Sequence, residues 1–102
     1  MPCAKPSSRF ARTMAEMVYS PRFAEELSRV TSKRVENNIY KMLDLIEAVP
    51  TVGSTKVPSL IRTEFGEGVL KAVVGPFDIF YEYFENQDVV YVYTLVFQRQ
   101  AR

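Results

Sequence analysis

The chain has 102 residues, 47% of them hydrophobic and 13% aromatic, which is enough for one domain with a buried core. It carries no histidine and a single cysteine, Cys3, so imidazole-based triads, the usual zinc sites and an intrachain disulfide are excluded. The net charge of +1 is uneven: residues 1–12 carry +3 (Lys5, Arg9, Arg12) and the last four residues +2 (Arg99, Arg102), while residues 13–98 hold 8 Lys/Arg against 12 Asp/Glu. A body that binds nucleic acid is normally basic on at least one face, so any such face would have to come from the chain ends or a small local cluster.

Residues 1–13 contain two prolines, two serines and three basic residues, and are expected to form a flexible basic tail. No apolar h-region follows those charges and no apolar run reaches the ~18 residues of a membrane span, so a cytoplasmic protein with no membrane association is expected. The domain proper then runs over residues 14–102. Met14 to Tyr19 reads as a short strand. Ser20-Pro21 is a helix start: a serine hydroxyl can accept from a free backbone N–H, and proline lacks the N–H that would go unpaired in the first turn. Phe23, Ala24, Leu27 and Val30 follow at helical spacing.

Thr31-Ser32 marks a second helix start. Val35, Ile39, Met42, Leu43 and Ile46 form one apolar stripe, the clearest periodic signal in the chain, and Pro50 ends it. The two helices predict an antiparallel hairpin. Residues 51–58 are expected as loop and Leu60 to Phe65 as a weak strand, with Gly66-Glu67-Gly68 as a tight turn. Strands are then predicted over Val69–Val74, Phe77–Phe84 and Val89–Phe97, separated by Gly75-Pro76 and Glu85-Asn86-Gln87-Asp88. The last strand is apolar on both alternating sets, Val89/Tyr91/Tyr93/Leu95/Phe97 and Val90/Val92/Thr94/Val96, which predicts a central position. One face should meet the helices. The other needs a cover: a partner, the tail or loop 51–58.

This order resembles the RelE/ParE toxin superfamily of bacterial type II toxin–antitoxin systems. The resemblance is carried by MAEMVYSPRFAEEL (a strand, Ser-Pro, an acidic helix), by IYKMLDLIEAVPTVG (a second helix with a proline exit) and by LKAVVGPFDIFYEYFENQDVVYVYTLVFQRQ (a basic–aliphatic strand, a Gly-aromatic turn, an I-F-Y strand and a final strand ending in Arg). It implies an α+β fold in which a helical hairpin packs on a twisted, mainly antiparallel sheet of three or four strands, the first strand adding parallel to the last. It implies two activities. RelE-like members cut messenger RNA in the ribosomal A site. ParE-like members poison DNA gyrase. Both are silenced by a cognate antitoxin, in a homodimer or a toxin–antitoxin hetero-oligomer, with roles in growth inhibition, plasmid stabilisation or stress response. No cofactor or metal is implied.

RNA cleavage by 2′-hydroxyl attack needs a base, a cation for the phosphorane and an acid for the leaving oxygen. Without histidine these roles fall to Lys, Arg and Tyr. By the resemblance, Lys71 matches the basic residue of the first meander strand and Arg99 the arginine after the last one. Arg62 and Tyr81 complete the candidate set, with Tyr83, Tyr91 and Tyr93 as further aromatics. Where the nucleases place an arginine after the turn aromatic, this chain has Asp78, and an anion there would repel a phosphate by on the order of a few kcal/mol if poorly solvated. A second basic position is Val73, and the tyrosine found beyond the last arginine has no counterpart before Arg102. The expectation is therefore a ParE-like, gyrase-directed toxin. The alternatives are a metal-independent, ribosome-dependent endoribonuclease using Lys71, Arg62, Arg99 and a tyrosine, or an inactive interaction module with the same fold. The structural alternatives for the cations are ion pairs, Lys71 with Asp78 or Glu82 and Arg62 with Glu64.

Overall fold

A computed structural model describes residues 15–98. The expected tail of residues 1–13, Met14 and Arg99 lie outside the described residues. In chain order the elements are β1 (Glu16–Tyr19), α1 (Pro21–Ser28), α2 (Lys33–Ala48), α3 (Ser59–Phe65), β2 (Val69–Val74), β3 (Phe77–Phe84) and β4 (Val89–Phe97). The four strands form one sheet in the order β1-β4-β3-β2, with β1 parallel to β4 and the remaining pairs antiparallel. This is the expected α+β arrangement, with β4 inside the sheet. No helix among the described residues is long and apolar enough to cross a membrane.

Both helix starts form as the sequence predicts. The Ser20 hydroxyl accepts from the Phe23 N–H at 2.9 Å, with Pro21 in the first turn. The Ser32 hydroxyl accepts from the Val35 N–H at 3.3 Å. Such caps are worth about 1 kcal/mol each. The stripe of α2 drives Ile39, Leu43 and Ile46 into the core, where they meet Phe23 of α1 and Ala72, Val74, Ile79, Tyr81, Val90, Val92 and Leu95 of the sheet. Among the described elements α1 lies against β4 and α2 against β2.

Helix α1 also completes an edge. Strand β1 stops at Tyr19, so the rest of β4 would expose unpaired backbone groups. The Ser20 hydroxyl instead donates to the Tyr93 carbonyl at 2.6 Å, and Glu26 accepts from the Leu95 N–H at 2.8 Å and from the Thr94 hydroxyl at 2.7 Å.

Two expectations are corrected. Leu60 to Phe65 is not a strand but most of the helix α3. Ile61 and Phe65 sit four apart, one helical turn, and both point at the sheet, packing with Val57 against Val69, Phe80, Tyr93 and Val96. That segment, with loop residue Val57, is what covers part of the second sheet face. The simple alternation of β4 also fails. The register slips between Phe80 and Tyr81, which pair with Thr94 and Val92 and leave Tyr93 as an extra residue. A bulge of this kind flips the alternation beyond it. Val90, Val92 and Leu95 therefore share the helix-facing side, while Tyr93 and Val96 join the other.

Candidate functional site

The second face is built from alternate residues of β2 and β3. Lys71 lies opposite Phe80, Val69 opposite Glu82 and Val73 opposite Asp78. Directly opposed residues share a side of the sheet, so Lys71, Val73, Asp78, Phe80 and Glu82 all belong to the face that α3 partly covers. Lys71 is half-buried on an edge strand whose backbone is bridged by Ser54, with N–H to carbonyl bonds of 2.8 Å in both directions. Val73 beside it is 51% exposed, so the second basic position of the nucleases is an open aliphatic patch here.

The structure brings Lys71 and Arg62 to the same side of the sheet but ties them differently. The Arg62 guanidinium donates to the Thr55 carbonyl at 3.1 Å, a bond within its own segment. Neither cation forms an ion pair among the described residues. The carboxylates that were their expected partners are engaged elsewhere. Asp78, 6% exposed, accepts from the Gln98 side-chain amide at 3.0 Å. Glu82 accepts from the Tyr93 hydroxyl at 2.9 Å, and Glu64 from Arg22 at 2.7 Å.

Tyr81 lies on the opposite side of the sheet, fully buried in the helix-facing core. Its hydroxyl donates to the Pro50 carbonyl at 2.9 Å and accepts from the Gly53 N–H at 2.8 Å. A Cβ on residue 53 would come within 2.6 Å of that oxygen, so glycine is what lets the loop close on it. Burial, only partly offset by the Gly53 bond, raises the Tyr81 pKa above the usual phenol value. This hydroxyl pins the exit of α2 to the sheet. Arg99 lies outside the described residues.

Tyr91 and Tyr93 build the far end of the second face, whereas Tyr83 packs on the helix-facing core. Tyr93 stacks on Phe65 with ring centres 4.7 Å apart and meets Tyr91 at 5.0 Å. Its pKa is pushed well above the usual phenol value, first by burial, then by its bond to Glu82 and the charges of Glu82 and Tyr91. Tyr83 donates to Asp88 at 2.7 Å across the β3–β4 turn, where Asp88 holds the positive φ of 54°. An open groove of about 580 Å³, lined by Ser20, Pro21, Arg22, Phe65, Phe84, Tyr91 and Tyr93, runs between the start of α1 and this aromatic row.

Sequence reasoning missed Arg22 and Glu26. Arg22 lies over the Phe65 ring at 5.5 Å and bonds both Glu64 and Glu26, tying α1 to α3. Its position one residue past Ser-Pro is the only sequence signal for it. Glu26 had none, because the edge it caps exists only after β1 has stopped short.

The site is thus an apolar and aromatic sheet face with a lysine that forms no ion pair among the described residues, two engaged carboxylates and a short helix across it. For general acid–base chemistry it offers the half-buried Lys71, while the Arg62 guanidinium is turned to the Thr55 carbonyl of its own segment.

No family model matches the chain, and no curated protein matches it in sequence. Solved structures do match. The isolated RelE toxin of E. coli superposes with a TM-score of 0.64 at 13% identity, covering 81% of this chain and 83% of that one. The RelBE2 toxin–antitoxin complex of Mycobacterium tuberculosis gives 0.66 at 12%, covering 84% and 93%. The archaeal RelE–RelB complex of Pyrococcus horikoshii gives 0.64 at 15%, covering 83% and 96%. At these identities the likeness is one of fold: the chain has the α+β fold of the RelE toxins.

Proposed function

We propose that the chain is the toxin component of a type II toxin–antitoxin pair, of the gyrase-directed ParE-like kind, acting in the cytoplasm by holding a macromolecular target rather than by cutting RNA. The fold supports the toxin reading, and the matched RelE–RelB complexes support a cognate antitoxin as partner. The observation that carries the choice of a non-nuclease is the make-up of the sheet face. Cleavage of a phosphodiester needs several preorganised cations around the phosphorane. Here the second face carries Lys71 beside the exposed Val73, with the Asp78 carboxylate buried opposite Val73 on the Gln98 amide. Such a face suits protein contact better than a polyanion. Gyrase as the target, and plasmid stabilisation as the role, rest on the resemblance to the RelE/ParE superfamily as a whole, taken with the acidic body of the chain and Asp78, which count against the nuclease branch.

One observation favours the second reading, a ribosome-dependent endoribonuclease. Lys71 is free of any ion pair among the described residues, and Arg62 and Arg99 could join it. Expression of the chain alone in a bacterial host separates the readings. The proposal expects growth arrest in which DNA breaks precede the loss of translation, reversed by co-expressed antitoxin, with Lys71→Ala leaving most of the arrest in place. Cleavage of ribosome-bound messenger RNA that Lys71→Ala abolishes would establish the nuclease instead. No arrest would leave an inactive interaction module.

A further inference from the structure

We propose that α3 is a strap that lifts from the sheet as one unit, held down by a latch at Arg22, and that its release uncovers the apolar face beside Lys71. The segment is fixed at its beginning and free to pivot at its end. At the beginning, the Tyr81 hydroxyl holds Pro50 and Gly53, and the Ser54 backbone is bonded both ways to Lys71. At the end stands Gly66, at φ 118° with nothing within 4 Å of where a Cβ would stand, a conformation that only glycine adopts without strain.

Between these points α3 is lightly attached. It has seven residues, none buried, and no side-chain cap at its start. Its own bonds are local: Ile61 and Arg62 donate to the Pro58 carbonyl, Gly66 donates to the Arg62 carbonyl, and the Arg62 side chain donates to Thr55. An isolated helix this short has no stability of its own in water, so contacts with the sheet and with α1 must hold it. The sheet contacts are Ile61 and Phe65 over Val69, Phe80, Tyr93 and Val96. The contact with α1 is Arg22, which pairs with Glu64 at 2.7 Å and lies over Phe65 at 5.5 Å. Both partners of that ion pair are about half-exposed, at 48% and 51%, so salt reaches and weakens it. Beneath the strap, Phe80 and Val69 are fully buried. Lifting α3 therefore uncovers the apolar patch of Val69, Phe80, Tyr93 and Val96 beside Lys71. The device depends only on contacts within this chain, and α3 would open in this way whatever the target of the chain.

Native-state hydrogen exchange tests it. The amides of Ile61, Arg62 and Gly66 should share one opening that leaves the central β3 and β4 amides protected, exchanging at least about tenfold faster than those strands. Arg22→Gln should speed that opening about three- to tenfold, because it removes the half-exposed ion pair with Glu64 and the cation–aromatic contact with Phe65, besides the pair with Glu26 inside α1, and molar salt should act in the same direction. Arg29→Gln is the control. It deletes an exposed cation and an ion pair with Glu25 on the same helix without touching α3, and it should leave the opening unchanged. If Arg22→Gln does not fold, Glu64→Gln cuts the latch from the other side with the same expected result. The strap is overturned if the α3 amides are as protected as β3 and β4, or if the Arg22 and Arg29 substitutions change exchange equally.

Discussion

The two faces of this sheet are covered by very different helices. On one side, α2 runs for sixteen residues from a serine cap and sends Ile39, Leu43 and Ile46 into a shared core. On the other, α3 runs for seven without a side-chain cap and buries none of its residues. The same strands thus carry one face that is bound up with global folding and one that is covered by a small, separately attached piece. Lys71, Val73 and the aromatic row all belong to the second. Binding and switching are drawn from the less stable parts of a fold, because those parts can open without unfolding the rest. In this molecule the division falls through the plane of the sheet.

The largest effect that should separate the faces is in the helix-side core. Ile39 is 0% exposed, and Ile39→Ala should lower the unfolding free energy by about 2–5 kcal/mol, seen as a lower urea midpoint with an unchanged slope. Next comes Tyr81→Phe. It deletes both bonds to the exit of α2 and leaves the Gly53 N–H and the Pro50 carbonyl short of a partner, for about 1–3 kcal/mol. On the strap side, Phe65→Ala removes a half-buried ring from Tyr93 and from Arg22 and should cost less, about 1–2 kcal/mol. Should Phe65→Ala prove as costly as Ile39→Ala in the same urea titration, α3 is as integral to the fold as α2 and the contrast between the faces collapses.

The helix-side face was legible because its signals are local and repeat. Ser20-Pro21, Ser32 and the five-residue stripe of α2 each state their structure within a turn or two, and each formed as read. The meander strands were bounded by Gly75-Pro76 and the Glu85–Asp88 turn, and their limits match. The strap-side face was not legible in the same way. SLIRTEF carries its apolar residues at spacings that a short strand or a single helical turn can both use, and the choice is made by what lies across the sheet. Phe80 and Tyr93 receive Ile61 and Phe65 only if these point the same way, and Arg22, forty-two residues from Glu64, closes the contact. The bulge at Tyr93 is similar: nothing in VVYVYTLVF marks where the register slips. For the candidate site, the sequence placed Lys71 on its strand but not its isolation. That depends on Tyr93, in the middle of β4, and Gln98, just past its end, reaching Glu82 and Asp78. Tyr81 shows the reverse case, a tyrosine whose burial was foreseeable from its apolar strand but whose two backbone partners were not.

The smallest predicted effect tests how closed the strap side is. Tyr93 sits between Phe65 and Tyr91 with its hydroxyl on Glu82, and burial together with that carboxylate raises its pKa above the ordinary 10.0. The folded state therefore holds the phenol proton more tightly than the unfolded chain does. The sign follows directly: the stability this contributes is complete below pH 10.0, the unfolded value, and declines as pH rises above it, where the unfolded chain sheds the proton and the folded one keeps it. Tyr19 and Tyr81 are raised in the same direction, by burial first in both cases, so Tyr93 carries only a share of the alkaline loss. Urea unfolding followed on either side of pH 10.0 should show stability falling on the alkaline side, and Tyr93→Phe should make that fall shallower while leaving the share of Tyr81, on the other face, intact. An unchanged alkaline slope in Tyr93→Phe would mean that water already reaches the Tyr93–Glu82 contact in the folded protein, and that the cover over this face is open more often than the closed arrangement of Phe65 and Arg22 implies.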